Sequence, residues 1–383
     1  MRRELLKTWL SEQVFPTWAT SGADLINGGF YELLNSDLTA VERPRRARLV
    51  GRQIYCFSVA KEIGWKGDCK SLVDNGLSFL RKYLIRVDQT VRCSVSKDGE
   101  PANDSVDLYD DAFVLFALAT VVSVFGRNSD IEELARGIAD ATISRARRVD
   151  GAFQEHENVI LANPNMHLME AFLAWCETAS SQDNYWTDLT EQLANCALNH
   201  MIEENISSLP EYFDANWVPI RDENGLLIEP GHQFEWAWLL ARWSFLNGNR
   251  EMFSSAMIIA NIGEKFGVDR SQKIVINSIN EHHRPRDKSA KLWPQAERSK
   301  FWHAVSLHPF ATLEEKIMGR AKCEEALEGM CLFFKDSPPG LWREVLSYDN
   351  GLVTEPTRAS SLYHIVSAIL TVNRPYVSAG FNL

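Results

Sequence analysis

The chain has 383 residues, a net charge of -11, 45% hydrophobic and 24% charged residues, and seven cysteines. That charge argues against nucleic acid as a partner, because a phosphate backbone needs a basic face. The balance of residues is that of an ordinary soluble globular protein. An odd number of cysteines with no CxxC pair fits free thiols in a reducing compartment, so we expect a cytoplasmic protein.

The opening MRRELLKTWLSEQVF has no apolar core of the kind a signal peptide needs. The longest apolar run, Ala112 to Phe125, is shorter than the ~20 residues a membrane span takes. It reads as a helix buried on all sides, so no membrane association is expected. The 12 tryptophans and 19 phenylalanines fit a large helical core before they fit ligand stacking. The length exceeds the ~250 residues of most single cores. A closed barrel accommodates it, and one domain over residues 1–383 is expected.

Apolar residues at helical spacing dominate the chain. Helices are expected over Glu4–Phe15, Arg48–Ile63, Lys70–Ile85, Asp110–Phe125, Asp130–Arg148, Asn165–Ala179, Asn184–Ile202, His232–Asn247, Arg250–Phe266, Pro294–Leu307, Glu314–Phe334 and Ser360–Val372. Short extended pieces fall between them, at Phe30–Leu34, Val91–Val95, Gly151–Glu155, Leu209–Val218, Val275–Ile279 and Leu341–Ser347. The basic stretch Arg43 to Arg52 reads equally well as a solvated loop running into a helix and as a lid over a site.

Six apolar helices each follow a polar turn, and each is separated from the next by a more polar, amphipathic helix. Arg52, Asp110, His167, His232, Glu297 and His364 stand near their N-termini, at intervals of roughly 60 residues, longer than the common solenoid repeats. The economical architecture is all-α: a closed double ring of six inner helices inside six outer ones. All inner N-termini then open at one end and gather these polar residues. A solenoid of helical pairs also satisfies the pattern but would not converge them.

His167 and His232 each sit in a first turn with a glutamate three residues on, Glu170 and Glu235. That spacing puts both side chains on one helix face. Each pair reads either as a capping device or as an imidazole oriented by a carboxylate. The positive end of a helix dipole favours a neutral imidazole, the form a base needs, so His232 is expected to be neutral. His364 follows Ser360 and Ser361, either of which suits an N-cap. Trp293 precedes Pro294 and stands one turn from Glu297. It suits stacking on a sugar or stapling against the outer ring. Zinc spacing is absent, since Trp236 and Ala171 occupy the i+4 positions, so no metal is expected. Asp110 with Glu297 leaves open an opposed carboxylate pair for glycoside hydrolysis.

Seven stretches, in order, resemble the N-acylglucosamine 2-epimerase superfamily: GGFYELL, RLVGRQIYCF, DLYDDAFVLFALA, PNMHLMEAF, EPGHQFEWAWLL, KLWPQAE and SSLYHI. The resemblance covers nearly the whole chain. It implies an (α/α)6 barrel, with short β-hairpins in the loops at the active-site end. It also implies proton transfer at carbons 1 and 2 of a monosaccharide, without metal or cofactor. His232 and His364 match the catalytic histidines. Arg52, His167, Glu235 and Glu297 match sugar-binding positions, with Trp293 near them and Asp110 taken as a further substrate contact. SSLYHI resembles the aldose–ketose isomerase branch, typified by mannose isomerase. The expected reaction interconverts an aldose and its ketose, D-mannose/D-fructose type, through a cis-enediol. A sugar 2-epimerase is the alternative, and a glycoside hydrolase on the same barrel a more distant one. His364 is expected to remove the C2 proton while Glu235 holds His232. A homodimer through an outer-ring face stays open.

Overall fold

The computed structural model describes residues 2–178, 183–347 and 355–374. Six helices form an inner ring: α3 (Ala47–Ile63), α5 (Leu108–Phe125), α7 (Ala162–Cys176), α9 (Pro230–Asn247), α11 (Leu292–Leu307) and α13 (Ser360–Asn373). Each packs on the next, and α13 packs back on α3, which closes the ring. The outer layer is α1 (Arg2–Trp9) with α2 (Phe15–Thr20), α4 (Cys69–Phe79), α6 (Ser129–Ala146), α8 (Tyr185–Cys196), α10 (Arg250–Phe266) and α12 (Leu313–Cys331). The chain is therefore an (α/α)6 barrel rather than a solenoid. The expected helix end at Ala179 lies outside the described residues.

The division between layers follows from sequence. Inner helices are mostly apolar and are buried nearly end to end, α11 with several ionisable side chains among them; α5 loses most of its side chains to the interior. It is long and apolar enough to cross a membrane, yet here it is a core helix. Outer helices bury one stripe and cap their exposed starts: Asn128 accepts from Ile131 N at 3.2 Å, and Thr312 and Glu315 form a reciprocal capping box. Three outer segments expected to be single helices end in or contain a wider π-helical turn, at Leu10–Val14, Leu80–Leu84 and Ala197–Met201. All seven cysteines are unpaired.

Inner helices approach closely at Gly51 on α3. A Cβ there would stand 2.4 Å from the Phe113 carbonyl oxygen of α5, so only glycine fits.

Short antiparallel strand pairs cover the end where the inner helices begin. Arg45–Arg46 pairs with Arg92–Val95 and runs straight into α3. Ile160–Leu161 pairs with Tyr212–Phe213 before α7, and Ala290–Lys291 with Val345–Leu346 before α11. Thr357–Arg358 pairs with Leu33–Leu34 before α13. These pairings fix the direction in which four inner helices start. The expected strand Val275–Ile279 is two pieces, Ile274–Val275 and Ser278–Ile279, each with its own partner.

The basic stretch is neither a lid nor a solvated loop. Arg45 is fully buried against Asp24 at 2.9 Å, Arg46 pairs with Glu32, and Arg48 pairs with Asp107 and Asp110.

Candidate active site

The first two turns of all six inner helices surround one cavity of about 250 Å³. Arg52, His167, His232, Glu235, Trp293 and His364, from five of those helices, line it together. Tyr109 supplies the sixth helix, α5. Asn163, Glu229, Lys291, Ser360 and Ser361 complete the wall. A smaller cavity of about 90 Å³, lined by Tyr55, Glu177, Arg242 and Arg374, lies at the opposite end of the ring and carries no histidine.

Trp293 stands between the two key histidines. Its ring centroid is 4.8 Å from that of His232 and 5.7 Å from that of His364. The Pro-Gly ahead of His232 has a steric purpose: a Cβ on Gly231 would lie 2.5 Å from the Trp293 ring. Arg52 donates from Nη2 to the Tyr109 hydroxyl at 2.7 Å, and its guanidinium carbon lies 4.0 Å from the Phe113 ring centre.

Each histidine is oriented by a carboxylate at Nδ1, which leaves Nε2 free. His167 meets Glu170 at 3.1 Å, as the three-residue spacing predicted. His364 meets Glu297 at 2.8 Å across helices. Glu297 does not line the cavity but supports His364 from behind. His232 is not held by Glu235. Its partner is Glu211 at 2.9 Å, with Glu229 at 3.6 Å.

The charge state of His232 also departs from expectation. Burial opposes the imidazolium, but the negative charges of Glu211 and Glu229 overcome it and raise the group to about 10. A helix terminus contributes at most ~2 kcal/mol, whereas each nearby carboxylate shifts a pKa by about 1–3 units. His232 is therefore protonated at neutral pH. His364 goes the other way: burial first, then the charges of Arg52 and Lys300, push it well below its usual value. His167, lowered to about 4 chiefly by burial, is neutral too. Two imidazoles on one cavity thus carry opposite charge states, the arrangement that separates an acid from a base.

Glu235 is 1% exposed and neither of its oxygens has a partner. Burial, and then the charge of Glu297, raise it well above the usual carboxylate range, so it faces the cavity as a neutral acid. Glu170 is held near 2: burial would raise it, but the His167 hydrogen bond and the Lys300 charge outweigh that. Potential metal-ligand atoms come within 4.8 Å of one another in two sets, His167–Glu170–Glu235 and Glu235–Glu297–His364. The positive charge beside these carboxylates comes from Lys300, 2.6 Å from Glu297.

Asp110 does not reach the cavity. It is fully buried, and Arg48 occupies it through the backbone N–H at 2.8 Å and the guanidinium at 2.8 and 2.9 Å. The opposed carboxylates of a glycosidase are therefore not assembled from Asp110 and Glu297. Nor is Ser361 an N-cap: it donates to Glu344 at 2.5 Å, and both it and Ser360 face the cavity.

Sequence reading missed Glu211, Glu229, Tyr109 and Lys300. Glu229 and Tyr109 lie within recognised motifs, EPGHQFEWAWLL and DLYDDAFVLFALA. Lys300 carried a signal, an ionisable residue one turn from Glu297 within an apolar helix. Glu211 carried none, since it reaches His232 from a separate loop.

Fold and cavity together define an (α/α)6-barrel enzyme whose ionisable groups suit proton transfer. The sequence pattern of the N-acylglucosamine 2-epimerase family matches residues 28–368. The chain belongs to that family. Mannose-6-phosphate isomerase of Rhizobium meliloti (strain 1021) is 32% identical over 370 residues, 95% of each chain. A crystal structure of a D-mannose isomerase superposes with a TM-score of 0.83 at 19% identity, over 96% of this chain and 97% of that one. Cellobiose 2-epimerase from Bacillus thermoamylovorans B4167 superposes with a TM-score of 0.83 at 19% identity, over 96% and 98%. The chain is an enzyme of the isomerase and epimerase class.

Proposed function

We propose that the chain interconverts an aldose and its ketose, D-mannose/D-fructose type, by histidine-mediated proton transfer. The observation that carries this reading is the pairing of a neutral His364 with a protonated His232 on one cavity. The cavity, about 250 Å³ and lined by side chains of all six inner helices, is of a scale suited to one sugar. Glu235, as a neutral acid, gives its proton to the ring oxygen as the C1–O5 bond breaks and takes the O1 proton on its other oxygen as the carbonyl forms, so it ends neutral. His364 Nε2 then takes the C2 proton while His232 gives a proton to O1, forming the cis-enediol. His232 next takes the O2 proton as His364 returns its own to C1. Both histidines end in their starting states, and the product is the ketose. Arg52 stabilises negative charge developing on the enediol oxygens. Trp293 offers an apolar face to the sugar.

A 2-epimerase would use the same groups but return the proton to the other face of C2. Turnover of mannose in deuterated water separates the two: fructose is the expected product, and glucose labelled at C2 would overturn the isomerase reading. Mannose 6-phosphate, lyxose and N-acetylglucosamine complete the panel. His364→Gln should lower kcat by at least ~10² with its thermal melt unchanged. The seven free thiols support a cytoplasmic location.

A further inference from the structure

Three buried carboxylates converge beneath the cavity: Glu170 of α7, Glu235 of α9 and Glu297 of α11. One lysine stands among them. Lys300 is fully buried on α11, one turn beyond Glu297, and does not line the cavity. Its Nζ lies 2.6 Å from Glu297 Oε2, 3.5 Å from Ser367 Oγ of α13 and 3.7 Å from the Trp238 ring centre of α9. Burying an ammonium ion is costly, and a position serving packing alone would be filled by an apolar side chain.

The charges around it come from every neighbouring helix. α7 presents Glu170 and His167, α9 presents Glu235, and α13 presents His364, whose neighbour Tyr363 hydrogen-bonds Glu170. Arg52 of α3 acts on His364 as well. On the outer side of α11, Lys322 and Glu325 of α12 engage Glu264 and Arg298 instead.

Glu297 uses its two oxygens for two partners. Oε1 meets His364 Nδ1 and Oε2 meets Lys300. Burial and then the Glu170 charge push Glu297 above the usual carboxylate range, and the Lys300 ammonium is the largest influence holding it down. Without Lys300 it would take a proton. A neutral carboxyl can donate to Nδ1, and the imidazole proton would then move to Nε2, which could no longer accept a proton from carbon.

We propose that Lys300 is a positioning residue. Its ammonium keeps Glu297 anionic, Glu297 keeps the His364 proton on Nδ1, and Nε2 is left as the base. That role rests on the isomerase reading for its catalytic meaning, but not for its test. Nitrogen-15 spectra of the histidine rings, with His364 assigned from its loss in His364→Gln, report the tautomer directly. The wild-type protein should carry the His364 proton on Nδ1 between pH 6 and pH 8, and Lys300→Arg should preserve it. Lys300→Met should move it to Nε2. In the same variant kcat at pH 7 should fall at least ~10-fold, with KM within about threefold. Its acid limb should move up by about one pH unit or more. A wild-type proton on Nε2, or an unchanged tautomer in Lys300→Met, overturns the proposal. If Lys300→Met does not fold, Lys300→Gln and the wild-type spectrum still decide. Expected spectra without turnover of any sugar would sink the isomerase reading and leave the role of Lys300 standing.

Discussion

His232 illustrates how a partner from elsewhere in the chain decides what a residue does. Its place in the first turn of α9 argues for a neutral ring. Two carboxylates within 4 Å reverse that, because a full charge at hydrogen-bond distance outweighs half a charge spread over a helix end. The group is raised to about 10 in the folded protein. Activity that needs the imidazolium is therefore present at neutral pH and is lost as pH rises through that value. Glu211→Gln removes one of the two charges. We expect the alkaline limb of kcat/KM to move down by about one to three pH units, with the acid limb in place. An alkaline limb that stays put would mean that His232 does not serve as the acid.

At the scale of elements, four inner helices have their N-termini aimed by strand pairs, and each inner helix packs on its neighbours in the ring. α3 and α5 are neighbours in the ring, and a side chain at Gly51, next to Arg52, would meet the backbone of α5. Gly51→Ala gains about 1 kcal/mol of helix propensity but drives a methyl group into the backbone of α5. Overpacking of this kind costs about 1–3 kcal/mol, so the net effect should be a lower melting temperature and a weaker KM as α3 shifts Arg52. A melt equal to or above that of the wild type would show that the helices part freely at this point. Helix types and most boundaries were legible here, because burial on all sides and burial of one stripe leave different patterns. The π-helical turns were not legible: one extra residue in a turn leaves the apolar spacing almost unchanged.

On the scale of the whole molecule, the outer layer over the α13–α3 closure comes from the start of the chain. α1 packs on α13, and Arg3 donates to the Val372 carbonyl at 2.7 Å and to Glu324 of α12 at 2.8 Å. Leu6, Leu10 and Val14 are buried there. The helix that carries His364 is thus covered by residues more than three hundred positions away. Deleting residues 2–14 should abolish the cooperative melt, since burying a leucine or valine stabilises by about 1.5–3 kcal/mol and three would be lost. A deletion variant that melts as sharply as the full chain would mean that the ring closes without its first helix.

The sequence alone determined the alternation of six apolar with more polar helices, the polar residues near the six N-termini and, through the family resemblance, the barrel and the two histidines of the cavity. Period, breaker residues and motif order are local properties, and each is written where it acts. It also placed Glu170 against His167, because both lie on one helix face. Tertiary structure decided what depends on distance through space. It put Glu211 rather than Glu235 on His232, hid Asp110 under Arg48, set Glu297 behind His364 and left Glu235 without a partner. Those contacts fix the protonation states, because charge interactions act through space and take no account of separation along the chain.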